Sequence, residues 1–323
     1  MRRRLFTASL AATVTAPFAP AQAQAAWPTA HPIRVLVGYP PGGFTDITAR
    51  LISDKLSARL GQTVIVENKP GANGILAVDA VAKSAADGYT FAVVIAAHAA
   101  NSSLYKKLPY DPKDLAAVSL IGVSPLVASV PMDAPYHTAR EFMAYAKANP
   151  GKVSYGSSGN GSAVHLSTEL LKSLTGTHMV HIPYRGAAAA LTDLMGGQIQ
   201  LFLDAASGLI GPGKAGRVRL IGVASEKRLP VLPDVPTFIE QGVPGFVAST
   251  WAGMLAPVAT PAAIVKRMAS EIAAIVRQDD VRARLESMGT IPVGNSPAEF
   301  EKFLGAETDR WGKVIRSAKV TLD

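Results

Sequence analysis

Cysteine is absent from this chain of 323 residues. Thiol catalysis, iron–sulfur ligation and disulfide stapling are thereby excluded. If the chain is exported, it must fold on packing alone. Charge is also scarce. Asp, Glu, Lys and Arg make up 17% of the sequence, against roughly 25% in an average soluble protein. Lys and Arg number 32 against 24 acidic residues, for a net charge of +8. Three of those positive charges, Arg2, Arg3 and Arg4, lie at the N-terminus, and no other charged residue occurs before Arg34. Without them the balance is 29 to 24. No dense basic stripe remains, since Arg217 with Arg219 and Lys227 with Arg228 are ordinary surface pairs. No nucleic-acid partner is expected. Past the N-terminal segment, no apolar run reaches the roughly 18 residues of a membrane span. The nearest, residues 91–100, contains His98 and reads as a buried strand entering a helix.

What is present begins with an export pattern. Met1 to Arg4 is positive, residues 5–19 are apolar, and Ala21-Gln22-Ala23 and Ala23-Gln24-Ala25 offer small-x-small cleavage sites. Thr13, Thr15, Pro17 and Pro20 interrupt a stretch too short to span a bilayer. Residues 1–25 are therefore read as a signal peptide, with the mature chain beginning between Gln24 and Ala26 in the periplasm. Arg3-Arg4-Leu5-Phe6 resembles a twin-arginine signal, and the Sec route stays open.

Hydrophobic residues form 48% of the chain, enough for the cores of two domains. Strand and helix patterns alternate. Ile47, Leu51, Ile52, Leu56 and Leu60 mark one side of a helix, with Gly61 as its stop. Thr138 with Glu141, and Ser296 with Glu299, form capping boxes. Residues 33–39, 63–67, 89–95, 152–156, 179–183, 199–203 and 218–224 read as strands. The alternation implies an α/β architecture with mostly parallel strands. No flexible linker divides the chain. The apolar stretches 118–130 and 247–256 are expected to cross between the two domains as strands.

Ligands of open α/β sheets bind where strands lead into helices. Two such loops stand out. The first is Tyr39-Pro40-Pro41-Gly42-Gly43-Phe44-Thr45-Asp46. Its glycines admit a ligand close to the backbone, and the helix start offers N–H groups to an anion. Thr45 or Asp46 either caps that helix or meets the ligand. The second is Ser157-Ser158-Gly159-Asn160-Gly161-Ser162, followed by His165. Hydroxyls and N–H groups converge there at a positive helix end. One helix terminus contributes only about 0.3–2 kcal/mol, whereas micromolar affinity requires about 8 kcal/mol. A ligand therefore needs both loops across a cleft. Tyr184, Arg185 and Asp204 follow predicted strands and are further candidates. Arg185 suits a carboxylate or a surface ion pair. Asp204 either accepts from a ligand hydroxyl or amine or caps the next helix.

Catalytic signals are weak. His178 and His181 fall on opposite faces of a strand, which does not suit a metal pair. Ser162 or Ser158 with His165 invites a second reading, an exported serine hydrolase acting on a small ester. No Gly-x-Ser-x-Gly elbow surrounds these serines, and Ser162 is more simply a helix cap. Gly211-Pro212-Gly213-Lys214-Ala215-Gly216 has the dinucleotide-binding spacing but opens no helix.

The motifs Tyr39-Pro-Pro-Gly-Gly-Phe-Thr-Asp46, Val66-Glu-Asn-Lys-Pro-Gly-Ala-Asn-Gly74, Ser157-Ser-Gly-Asn-Gly-Ser162 and His181-Ile-Pro-Tyr-Arg-Gly186 occur in this order. With Pro233-Asp-Val-Pro-Thr237 and Thr250-Trp-Ala-Gly253, they make the chain resemble the Bug-type periplasmic solute-binding receptors of tripartite tricarboxylate transporters. The resemblance implies a two-lobed α/β fold of the Venus-flytrap kind (type II-like), each lobe a mixed sheet flanked by helices. It implies a monomer that closes on a small carboxylated solute, works with membrane transporter components, and uses no enzyme chemistry, cofactor or metal. On the boundaries read here, one lobe comprises residues 27–126 and 250–323 and the other residues 127–249. Family pattern carries the contacts to Gly42, Gly43, Phe44, Thr45 and Asp46 and to Ser158, Asn160, Gly161, Ser162 and His165. The family often has Gly where this chain has Asn73, and a more polar stretch around His98. Ala96, Ala97 and Ala99 leave space near His98 for a bulky or aromatic acid.

Overall fold

The computed structural model describes residues 27–322, so the expected signal at residues 1–25 lies outside them. The chain opens with β1 (Ile33–Val37), α1 (Phe44–Leu60), β2 (Val64–Asn68), α2 (Ile75–Ala82), β3 (Thr90–Val94) and α3 (Ala96–Leu104). A long strand, β4 (Leu115–Pro131), leads to α4 (Ala139–Ala148), β5 (Val153–Ser157), α5 (Ala163–Thr175), β6 (Met179–Pro183) and α6 (Ala187–Met195). Then come β7 (Leu201–Ala205), α7 (Ala206–Lys214) and β8 (Val218–Val223). After a long connection, β9 (Ser249–Pro257), α8 (Ala262–Val276), α9 (Asp279–Ser287), β10 (Ile291–Pro292) and α10 (Pro297–Ala318) complete the fold.

The strands run in the order β2-β1-β3-β9-β4-β7-β5-β6, with β8 and β10 also paired to β4. The expectation of mostly parallel strands needs correction. β1 is parallel to β2 and β3, and β5 to β6 and β7, but every pairing of β4 and β9 is antiparallel. The cause is connectivity. β4 passes from the first half into the second, and the chain returns at Ala248 so that β9 runs back against β4, which a βαβ crossover cannot produce. From Leu115 to Pro125 β4 pairs with β9, and from Leu126 onward with β7 and β8.

Helices cover both faces of the first half. α1 and α8 pack with Val35, Phe91 and Met254 on one face, and α2, α3 and α10 with Leu36, Ala92 and Leu255 on the other. A separate core around Phe142, Tyr155 and Phe202 fills the second half. Burying each large apolar side chain contributes about 1.5–3 kcal/mol. Glu307 of α10 fastens the first core, accepting from the indole N–H of both Trp251 and Trp311 at 3.0 Å.

Local signals act where expected. Gly61 ends α1 in the left-handed region, with φ 64°, where a side chain costs most. Both capping boxes form. Gly211 and Gly213 lie in the last turns of α7 with Pro212, so the glycine motif closes a helix and opens none. Among the described residues, no helix is long and apolar enough to cross a membrane.

Candidate functional site

The loop before α1 is held by Asp46. Gly42 takes φ +85°, and its N–H donates to Asp46 Oδ2 at 2.9 Å. Arg50 Nε donates to Asp46 Oδ1 at 3.0 Å, and the Asn68 amide to the same oxygen at 2.9 Å. Asn68 also donates to the Tyr39 carbonyl at 3.0 Å. Burial opposes the charged carboxylate, but the Arg50, Gly42 and Asn68 donors outweigh it and hold the Asp46 carboxyl below its ordinary value. Asp46 thus shapes the loop from behind. It accepts from Gly42, ahead of the helix, and N-caps nothing, because Gly43 is the N-cap residue and carries no side chain. The first turn of α1 leaves its N–H groups without intrahelical acceptors. Asp46→Ala is expected to cost about 1.5–3 kcal/mol of stability, since a buried charged acceptor is lost. Arg50→Ala should cost under about 1 kcal/mol, its guanidinium being half exposed. Urea unfolding at pH 7 compares the two.

The loop between β5 and α5 is shaped by hydroxyls and one histidine. Ser157 Oγ accepts from the Gly159 N–H at 3.1 Å and meets His181 Nε2 at 2.6 Å. Ser162 N-caps α5, its Oγ accepting from the His165 N–H at 3.2 Å. The His165 ring reaches back, its Nδ1 accepting from the Gly161 N–H at 3.0 Å. The His165 and His181 rings stack with centroids 3.8 Å apart. Tyr155 lies under His181 and donates to Glu169, which also pairs with Lys172. Burial first, then Lys172, lowers His165 to about 4. Burial, His165 and Lys172 lower His181 to about 4 against an opposing pull from Glu169. Both rings are neutral at pH 7, which keeps Nδ1 of His165 free to accept.

The two loops meet. The Asn73 amide donates to the Asn160 carbonyl at 3.0 Å, and the Asn73 carbonyl accepts from Tyr39 Oη at 3.1 Å. Tyr39, on the first loop, therefore touches the residue that reaches the second. The structure thus links Tyr39, through Asn73, to Asn160; Gly42, Gly43, Phe44, Thr45 and Asp46 share the loop of Tyr39, and Ser158, Gly161, Ser162 and His165 share the loop and helix start of Asn160. Sequence reasoning left out Asn73 and His181. The strand register that sets His181 opposite Tyr155 was the available sign of the second.

Of the remaining candidates, Tyr184 abuts the second loop, its N–H donating to the Ser157 carbonyl at 3.0 Å. Tyr184 donates to Asp193 at 2.7 Å. Arg185 is exposed and in no ion pair among the described residues. Asp204 ends β7 opposite Val127 of the crossing strand. Its Oδ2 lies 2.5 Å from where a Cβ on Gly208 would stand, so only glycine fits beside it. Burial, against a smaller pull from the Ala205 N–H, pushes its carboxyl up to about 7, although it keeps some solvent access. His98 occupies another cavity. It lines a cleft of about 1590 Å³ between α8 and α10, none of whose walls comes from either loop. Its ring lies parallel to Tyr110, and burial lowers it to about 4.

No nucleophile is prepared at Ser162. Its Oγ is engaged by a backbone N–H, and the His165 ring accepts from the Gly161 N–H instead of facing that hydroxyl. Ser157 does contact a histidine ring, but it is fully buried.

Two helix-flanked sheets sharing the strand β4, with the turn before α2 touching the loop before α5 between them, define a two-lobed binding protein of the periplasmic class. The chain belongs to the tripartite tricarboxylate transporter family of receptors, whose family model matches residues 48–320. It is 34% identical over 319 residues to the protein BugT of Bordetella pertussis, covering 98% of this chain and 95% of that one. Among solved structures it is similar to Rhodopseudomonas palustris Rpa4515 with adipate. That likeness has a TM-score of 0.87 and 36% identity and covers 91% of this chain and 99% of that one. It is also similar to MatC from the same organism with bound malate, with a TM-score of 0.81 and 32% identity, covering 89% and 99%.

Proposed function

We propose that this receptor works in the periplasm as a monomer and captures a small carboxylate between the loops that open α1 and α5, without chemical turnover. One observation carries the reading: the α5 loop is built as an anion cradle. Ser162 and His165 satisfy the N–H groups of His165 and Gly161, while the helix start leaves those of Ala163 and Val164 without intrahelical acceptors. A carboxylate is what such a terminus favours. The adipate and malate held by the two solved relatives point to dicarboxylates of four to six carbons. On this reading, residues 27–126 with 250–323 form one lobe and residues 127–249 the other. The hinge falls where β4 changes partners after Pro125. Presenting the closed form to transporter components in the membrane follows from the family.

Calorimetry against mono- and dicarboxylates tests the proposal. Micromolar or tighter binding to at least one acid, about 8 kcal/mol, is expected, with the acid recovered unchanged by chromatography. Folded protein that binds none of them, or that hydrolyses an ester, would sink it.

A further inference from the structure

Four successive residues, Gly71, Ala72, Asn73 and Gly74, have positive φ. Asn73 sits in the left-handed region at φ 52°, ψ 36°. Side chains rarely adopt this conformation, and asparagine and aspartate tolerate it best after glycine. The surroundings hold it there. The Asn73 carbonyl accepts from Tyr39 Oη at 3.1 Å and from the Asn101 amide at 3.3 Å, while Gly74 N donates to the Gly71 carbonyl at 3.0 Å. All these partners belong to the half built on β1–β3. The Asn73 side chain meets Tyr105 of the same half and also leaves that half, crossing to the Asn160 carbonyl at 3.0 Å.

The crossing point is tight. A Cβ at Gly161 would stand 2.5 Å from Leu104 Cδ1 and 3.2 Å from Asn73 Nδ2. Backbone of the second half therefore lies directly against α3 and the Asn73 loop. Of the residues that accept this backbone readily, glycine supplies no donor, and aspartate would set a carboxylate against the Asn160 carbonyl oxygen. Asparagine combines the conformation with an N–H donor. When the halves part, the Asn160 carbonyl is left to water and Asn73 keeps only Tyr105 of its own half, so the crossing bond acts only on closure.

We infer that Asn73 is a closing latch, a side chain that tethers the first half to the anion loop of the second and raises the closed population before any solute arrives. The inference rests on the receptor reading. Its reach is set by one solvent-exchanged hydrogen bond, roughly a three- to tenfold change in the open–closed equilibrium. Because apparent affinity scales with the competent fraction, solute binding shifts by up to the same factor. The latch also joins the two candidate loops mechanically, since Tyr39 holds its carbonyl end.

Solution scattering of the ligand-free full chain tests this with wild type, Asn73→Asp and Asn73→Gly. Both substitutions suit positive φ, so melting temperatures should stay close to that of wild type. Both variants should show a larger radius of gyration than wild type, Asn73→Asp at least as large as Asn73→Gly. Titration with adipate should show three- to tenfold weaker binding in the variants. Equal radii in all three proteins overturn the latch, whatever the titrations show. A wild-type protein that binds no acid of the panel defeats the receptor reading instead, and the radii then decide the latch by themselves. If Asn73→Asp fails to fold, the comparison with Asn73→Gly carries the test.

Discussion

Gly161→Ala is expected to weaken carboxylate binding roughly ten- to a hundredfold while the protein stays folded. Two costs arise, and they fall on different states. Gly161 has φ +73°, and a side chain in the left-handed region costs about 1–2 kcal/mol. That cost is present whether the halves are apart or together, and it shows as lower stability. The second cost exists only when they meet. The new methyl would lie 2.5 Å from Leu104 Cδ1, 3.2 Å from Asn73 Nδ2 and 3.4 Å from Leu322 Cδ2. Leu104 can swing its methyl aside, but neighbours on the other sides limit the retreat. Overpacking of this kind costs about 1–3 kcal/mol, which is roughly ten- to a hundredfold in Kd. Calorimetry with the tightest acid of the panel reads the effect. Leu104→Ala in the same chain should restore much of the lost affinity, because the two sites couple directly. Unchanged affinity in Gly161→Ala would mean that the halves do not meet at this point.

Acid should destabilise the fold steeply between pH 6.5 and 4. An unfolded histidine titrates near 6.5, whereas His98, His165 and His181 are each lowered to about 4. Between those values the unfolded chain takes up protons that the folded chain refuses. Stability is therefore full above about pH 6.5 and is lost as pH falls towards the folded values. His98, lowered by burial alone, accounts for about 3 kcal/mol by pH 4. His165 and His181 add to this. Asp204 acts in the other direction. Its carboxyl is raised to about 7, so its contribution declines as pH climbs through the range above about 4 and partly offsets the histidines. Urea midpoints measured from pH 7 to 4 should fall, and His98→Leu should flatten the curve by about one proton. A midpoint that stays level down to pH 4.5 would show that these rings titrate normally. Solute affinity should hold through most of that window and drop only as pH nears 4, where a proton on His165 Nδ1 removes the acceptor of the Gly161 N–H.

These two cases show what a sequence reveals and what it conceals. The α1 stop at Gly61 and both capping boxes were legible, since each is a contact within four residues. The glycine-rich turns that open α1 and α5 were legible too, because such a turn feeding a helix is a local pattern. The crossing strands were visible as apolar stretches, but their antiparallel pairing was not. Register with β9 joins residues more than a hundred positions apart. The same distance hid the latch: Asn73 and Asn160 are 87 positions apart. His98 was misleading for a related reason. Its place in the chain, just after β3, suggested the cleft, but helical rotation carries its ring to the groove beside α8 and α10. α8 and α9 went unread because neither has a side-chain N-cap.

The 17 residues of β4 are divided between the two sheets, Leu115–Pro125 in one and Leu126–Pro131 in the other. Neither half can be exchanged or duplicated alone without leaving a raw strand edge. Recombination between relatives therefore has few safe breakpoints within this strand. On the proposed site, a change of solute is then reached most directly by point substitution in the loops that follow β1 and β5, which leaves the shared strand intact.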